Sequence, residues 1–366
     1  MVDALNIDPA VQTQNLLDTG SIFDNGRVIL DDIVRTQGHG SYRGVSTATM
    51  WGIDHENVST YIESPHEEYG LVLFTKPMCN LSYNNILQDT RTALMASRNN
   101  LSMPRIIKAM LDPISQRDER FHCPIIDRYS AFIPLLTNTC TSISGAPSLY
   151  MNSFETPAGK YGEVYTMPDG HAEQFESWSA TATFNNGPGD LVGEFFVKWV
   201  TYMGLLRDGT FRRRIGFTRD NRRDYDIRAY SIILDSTRRY IQKISCPGAM
   251  WPRGVDTGKD FDMVKNNEGT IIEDSKTVNI TFQAMGYYTR DPIVFLMFNQ
   301  TVMNMNPFMH PNFRRQYMVE IPDDLRLYYN KVGYPWIDMN TSKLQWFMFK
   351  EDFTVTEKRR KASGLY

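Results

Sequence analysis

The sequence predicts an α+β, β-rich fold: an antiparallel β-barrel or sandwich with one packed helix, preceded by a mixed, loop-rich N-terminal region. Three observations lead there. Ser177–Phe184 and Thr277–Met285 alternate apolar and polar residues with the period of two that a half-buried antiparallel strand requires. Between them, Val192, Phe195, Phe196, Trp199, Met203 and Leu206 recur at three- and four-residue spacing, which makes one broad apolar helix face. Two further runs, Asp226–Leu234 and Arg238–Ser245, are separated by Asp235-Ser236-Thr237 and read as a hairpin.

Taken in order, residues 1–65 alternate turn formers with short apolar pieces, as in Gly38–Gly44, and read as an arm that orders against a neighbour. Gly70–Thr75 reads as a buried strand stopped by Lys76-Pro77. Ser102 caps a helix running through Met110-Leu111, which ends at Asp112 because a residue before proline leaves the α region. Asp127–Thr137 and Ser142–Ser153, interrupted by Pro134, Gly145 and Pro147, read as a strand followed by a connecting loop. A boundary near 155 divides the chain into a loop-rich region (1–155), a β-rich domain (156–310) and a C-terminal extension (311–366). After the strand at 177, Asn185–Gly189 breaks the pattern and Asp190 caps the following helix. Trp178, Phe184, Phe195 and Trp199 are expected to hold sheet and helix together. Ile293–Phe298 fits strand or helix equally, and the basic end Lys358–Lys361 has no predicted structure.

Composition narrows the function. A chain of 366 residues with 42% hydrophobic residues has room for two ordinary domains, and its net charge of -3 gives no bulk attraction to nucleic acid or anionic membranes. The acidic start lacks the basic region and apolar stretch of a secretory signal, and no apolar run suffices to cross a bilayer core of about 30 Å. The expectation is a protein that is neither exported nor membrane-bound, whose six Asn-x-Ser/Thr sequons are chance. Cys79, Cys123, Cys140 and Cys246 lie far apart and read as buried thiols in a reducing compartment. Arginine outnumbers lysine 26 to 13, beside 19 Met, 19 Tyr, 20 Phe and 6 Trp. These types are enriched where proteins meet proteins, whereas lysine is depleted there, so the surface is expected to be largely covered by partners.

Candidate chemistry is sparse. Gly187-Pro188-Gly189 with Gly193 lies between a strand and a helix, but a dinucleotide loop needs its third glycine one residue earlier, and Asp190 repels phosphate. His39, His55, His66, His122, His171 and His310 are scattered without metal-ligand spacing, and Asp31-Asp32 and Asp323-Asp324 are adjacent pairs whose side chains diverge. No catalytic residue, metal or cofactor is predicted. Ten arginines between Arg207 and Arg239 are interleaved with five aspartates, a mixture suited to ion pairs within the loop or with an identical neighbour in a ring rather than to a phosphate-binding stripe. Arg212, Arg213, Arg214, Arg222 and Arg223 are the expected subunit-interface residues.

Short motifs are spread between Thr75 and Asn299: Thr75-Lys-Pro77 with Asn80-Leu81, Leu111-Asp-Pro113, Thr137-Asn138 with Ser142–Gly145, and Ala182-Thr-Phe184 with Gly189-Asp190. They continue in Trp199–Tyr202, Asp224-Tyr225, Arg228-Ala-Tyr230, Leu234-Asp235, Asp291-Pro292 and Phe298-Asn299. In these motifs the chain resembles virion structural proteins of large contractile-tailed bacteriophages, and the strand–helix–hairpin order of 177–245 is similar to tail-tube proteins. What this implies is a virion component, assembled in the host bacterial cytoplasm, that forms a ring with copies of itself, by expectation hexameric. Its other partners would be adjacent tail, baseplate or neck proteins, with transient contact with passing DNA and none with membrane. The alternatives are a virion-associated cell-wall hydrolase and a capsid or DNA-contacting connector component.

Overall fold

The structure, a computed structural model, describes residues 68–149, 151–169, 177–187, 189–235, 237–258, 263–265, 271–273, 277–289, 291–325 and 333–362. The arm expected over 1–65 lies outside them, as do His39, His55, His66, His171 and the Asp31-Asp32 pair.

The alternating segments become the centre of one sheet. Along the chain come β1 (Tyr69–Phe74), β2 (Cys140–Ser144), the hairpin β3 (Asn152–Glu155) and β4 (Thr166–Asp169), and β5 (Ser177–Asn185). Then follow β6 (Ala229–Leu234), β7 (Ile241–Val255), the short pair β8 (Met263–Lys265) and β9 (Ile271–Glu273), and β10 (Thr277–Thr289). Six of these pair antiparallel in the order β1-β6-β7-β10-β5-β2. Register between β5 and β10 sets small against large: Ala180 faces Phe282, Ala182 faces Ile280 and Trp178 faces Ala284. Such complementary pairs fill the pleated surface without crowding it. Ser177, Ser179 and Thr181 on β5, and Thr277, Asn279 and Thr281 on β10, face solvent. The sheet curls into a nearly closed barrel, since one cleft of about 180 Å³ is lined by Ile143 and Ser144 at one edge and by Ala229 and Ser231 next to the other.

Helices cover the sheet. Before β2 lie α1 (Tyr83–Ile86), α2 (Thr90–Ala93), α3 (Met103–Leu111) and α4 (Pro134–Thr139); α5 (Leu191–Arg207) follows β5, with α6 (Ile215–Arg219) after it. Helix α5 buries Val192, Phe195, Phe196, Trp199, Tyr202 and Leu205, while Met203 and Leu206 sit half-buried at its flank. Phe196 lies 5.4 Å from Phe184 and 5.8 Å from Phe282, and stacks on Trp199. Phe74 of β1 meets the same rings at 5.7 and 6.2 Å, so one apolar core joins residues on both sides of 155. A second core lies where α7 (Ile293–Met305) packs Phe298 against Phe132 and Tyr230. Helix α8 (Pro311–Tyr317), the three strands β11 (Met318–Glu320), β12 (Tyr334–Ile337) and β13 (Leu344–Phe349), and helix α9 (Lys350–Ala362) complete the chain.

Several local expectations need correction. Asp127–Thr137 is no strand: Phe132 makes a single bridge to Thr75, and Pro134 opens α4, where its missing N–H costs nothing. The loop expected from Ser142 is the end of edge strand β2, closed by Gly145 at φ +94°, where a Cβ would meet the Ser179 carbonyl oxygen at 2.6 Å. The predicted hairpin pairs β6 with β7, but β7 begins at Ile241 and runs on to Val255. Ile293–Phe298 belongs to a thirteen-residue helix, and the basic end lies in α9, which carries the Glu357–Arg360 pair at 2.9 Å. Ser102 and Asp190 hold the N-cap positions without capping through their side chains. The Ser102 hydroxyl donates to the Asn99 carbonyl, and Asp190, in the left-handed region at φ 51°, accepts from Asn186 instead. Cys140 is only half-buried, unlike Cys79, Cys123 and Cys246.

Candidate subunit interface

The arginine-rich segment leaves the end of α5 and is pinned from below by apolar and polar anchors. Phe211 is buried 5.9 Å from Tyr202, and the Arg212 carbonyl accepts hydrogen bonds from Asn80 (2.8 Å) and Asn85 (2.9 Å). Its arginines then divide. Arg214 donates to both carboxylate oxygens of Asp112, at 2.5 and 2.6 Å. Asp112 is fully buried and also accepts from the backbone N–H groups of Leu81 and Ser115. Burial raises its pKa, opposed by the guanidinium and the two amide donors. Arg213 lies 3.8 Å from Asp224, which burial also shifts upward and which accepts the Tyr202 hydroxyl; that hydroxyl in turn accepts the Asn80 N–H. Arg223 pairs with Asp226 at 2.8 Å and lies over the Trp251 ring at 4.7 Å. Burial outweighs that pair and pushes the Asp226 carboxyl up to about 6.

Two of the five expected interface residues are unspent. Arg212 and Arg222 are exposed and form no ion pair with any described residue; Arg222 lies 5.7 Å from the Phe217 ring. Beside them Ile215 stands 87% exposed on α6, an unusual place for a large aliphatic side chain. Phe184, Phe195 and Trp199 are fully buried where the sheet meets α5, whereas Trp178 is half-buried against Tyr287 of β10, its indole N–H donating to Gly286.

Sequence reasoning missed the larger exposed surface. The segment 149–167 around hairpin β3–β4 presents Leu149, Met151, Phe154, Tyr161, Tyr165 and Met167, each more than half exposed. Every residue of both strands faces solvent. No periodic pattern flags such a hairpin, because neither face is buried within the chain; its signal is the density of large apolar residues between Ala146 and Gly170. Among the described residues no group of histidine, cysteine and carboxylate side chains could hold a metal, and no helix is long and apolar enough to cross a membrane.

No curated protein matches the chain. Among solved structures, it is similar to the cap terminating the tube of the anti-feeding prophage (13% identity, 44% of this chain and 83% of that chain, TM-score 0.25). It is also similar to the sheath/tube terminator of the extracellular contractile injection system PVC in its extended state (12% identity, 43% and 86%, TM-score 0.26). A chain of the extended PVC sheath-tube complex gives 14% identity, 44% and 83%, at TM-score 0.25. Overlaps this low carry no argument by themselves. The family model described as "Putative phage tail tube protein" matches residues 11–362, nearly the whole chain. The chain belongs to that family and is a structural component of a phage tail.

Proposed function

We propose that the protein works without catalysis, as a tail subunit that closes into a ring with copies of itself, six in number, and stacks on adjacent tail proteins. The observation that carries this reading is the exposed hairpin arm. An isolated two-stranded hairpin is marginal in water, and one presenting this much apolar surface is stabilised when another protein covers it. The exposed guanidinium groups of Arg212 and Arg222 and the apolar Ile215 supply a second patch of interface composition. A ring needs two different, mutually complementary surfaces on each subunit, and the arm and the arginine patch lie on separate segments. The family supports tube formation, while the alternative of a cell-wall hydrolase finds no support in it. Negative-stain electron microscopy of the purified full chain tests the reading. Class averages with sixfold rings are the expected result; particles with another symmetry refute the hexamer, and a field of single subunits refutes the ring.

A further inference from the structure

A groove of about 560 Å³ runs between α5 and the far end of β7, separate from the hairpin arm. Its floor is aliphatic, made by Val200, Met203, Leu206 and Pro252, and its rim carries the guanidinium groups of Arg207, Arg213 and Arg253. Tyr225 and Trp251 close the wall, and among the described residues no carboxylate lines the groove. Arg213 leans toward Asp224, but Arg207 and Arg253 are exposed and form no ion pair with any described residue. Such a groove fits a peptide that alternates aliphatic side chains with carboxylates. The chain itself contains one. Residues 1–34 hold six aspartates against a single arginine, Arg27, and three times set an aliphatic or aromatic pair before an acid: Leu16-Leu17-Asp18, Ile22-Phe23-Asp24 and Ile29-Leu30-Asp31.

We propose that this groove is the docking site of the polypeptide's own acidic N-terminal segment, residues 1–34, with Arg207 and Arg253 as its carboxylate receptors. The complementarity has two independent parts, charge at the rim and aliphatic surface at the floor, and only the first would serve a nucleic acid. Phosphate recognition depends on summed positive charge, and here the flanking segment interposes Asp208, Asp220 and Asp226. The proposal does not rest on ring formation, because the groove is complete within one subunit.

Hydrogen exchange on the full chain tests it. Amides within residues 1–34 are expected to exchange at least about tenfold more slowly than in the free 34-residue peptide. The double variant Arg207→Glu, Arg253→Glu abolishes that protection while the strands β5 and β10 keep theirs, which controls for folding. Adding Asp18→Arg, Asp24→Arg and Asp31→Arg to the double variant restores protection by inverting both partners. Exchange at the free-peptide rate in the wild type overturns the proposal, as does protection that survives the double charge reversal. A short DNA duplex at low salt forms the second arm. Binding that is lost in the double variant, with residues 1–34 exchanging freely in the wild type, gives the groove to nucleic acid and also overturns it.

Discussion

Asp112 is the residue on which the arginine segment hangs. Its carboxylate is fully buried and takes two charge-assisted bonds from Arg214, so removing the guanidinium strands a charge without solvent. Arg214→Ala is expected to lower unfolding stability by about 3–5 kcal/mol in denaturant titrations. By contrast Arg219→Ala, which removes the exposed partner of Asp220, should stay within about 0.5 kcal/mol of wild type. Equal losses in the two variants would contradict the assigned roles. Asp226 supplies a pH test. Its carboxyl titrates near 6 in the folded chain against an ordinary 3.8, so the folded state binds its proton more tightly than the unfolded one. Its contribution to stability therefore falls as pH rises from about 4 to 6 and is constant outside that window. Asp226→Asn should remove this slope from the variant's stability, so that the difference between variant and wild type changes across that window; a difference independent of pH would contradict the shift.

Elements differ in how far local sequence specifies them. β5 and β10 are legible because each carries its own period of two, and the register confirms it by facing Ala180 with Phe282 and Ala182 with Ile280. Helix α5 is legible for the same reason at period 3.6, although Tyr202 and Leu205 are buried more deeply than Met203 and Leu206. The Tyr202 hydroxyl is drawn inward by Asp224 and Asn80, partners that no local pattern reveals. α4 was illegible because proline is a breaker inside a helix yet acceptable at its first turn, and only the neighbouring strand decides which applies. The motifs that carried the resemblance acquire a physical meaning here. Asn80, Asp112, Tyr202 and Asp224 converge on one buried polar cluster under the arginine segment, assembled from parts of the chain up to 144 residues apart. Packing at this layer predicts two further effects. Trp199→Ala should cost about 3–5 kcal/mol. Ala182→Leu, which adds volume opposite Ile280, should cost about 1–3 kcal/mol. Melting curves of both variants check the prediction, and an unchanged midpoint in either contradicts the packing described.

At the scale of the molecule, the fold separates what holds the subunit together from what it offers to others. Two aromatic cores join segments from Leu73 to Phe347, whereas the β3–β4 arm is left wholly in solvent. A tail subunit needs such a division, because the surfaces it buries on assembly must be presented by a body that is already folded. The setting and the apolar layer were legible in the sequence; the β3–β4 hairpin was not, because a segment with both faces in solvent lacks the period of two that one-sided burial imposes. Sedimentation velocity of the full chain beside Phe154→Asp, Tyr161→Asp, Tyr165→Asp is the most direct test of this division. The wild type should sediment as a closed oligomer at micromolar concentration, and the triple variant as a folded monomer with an unchanged melting temperature. A wild type that stays monomeric throughout, or a triple variant that assembles as the wild type does, contradicts the account.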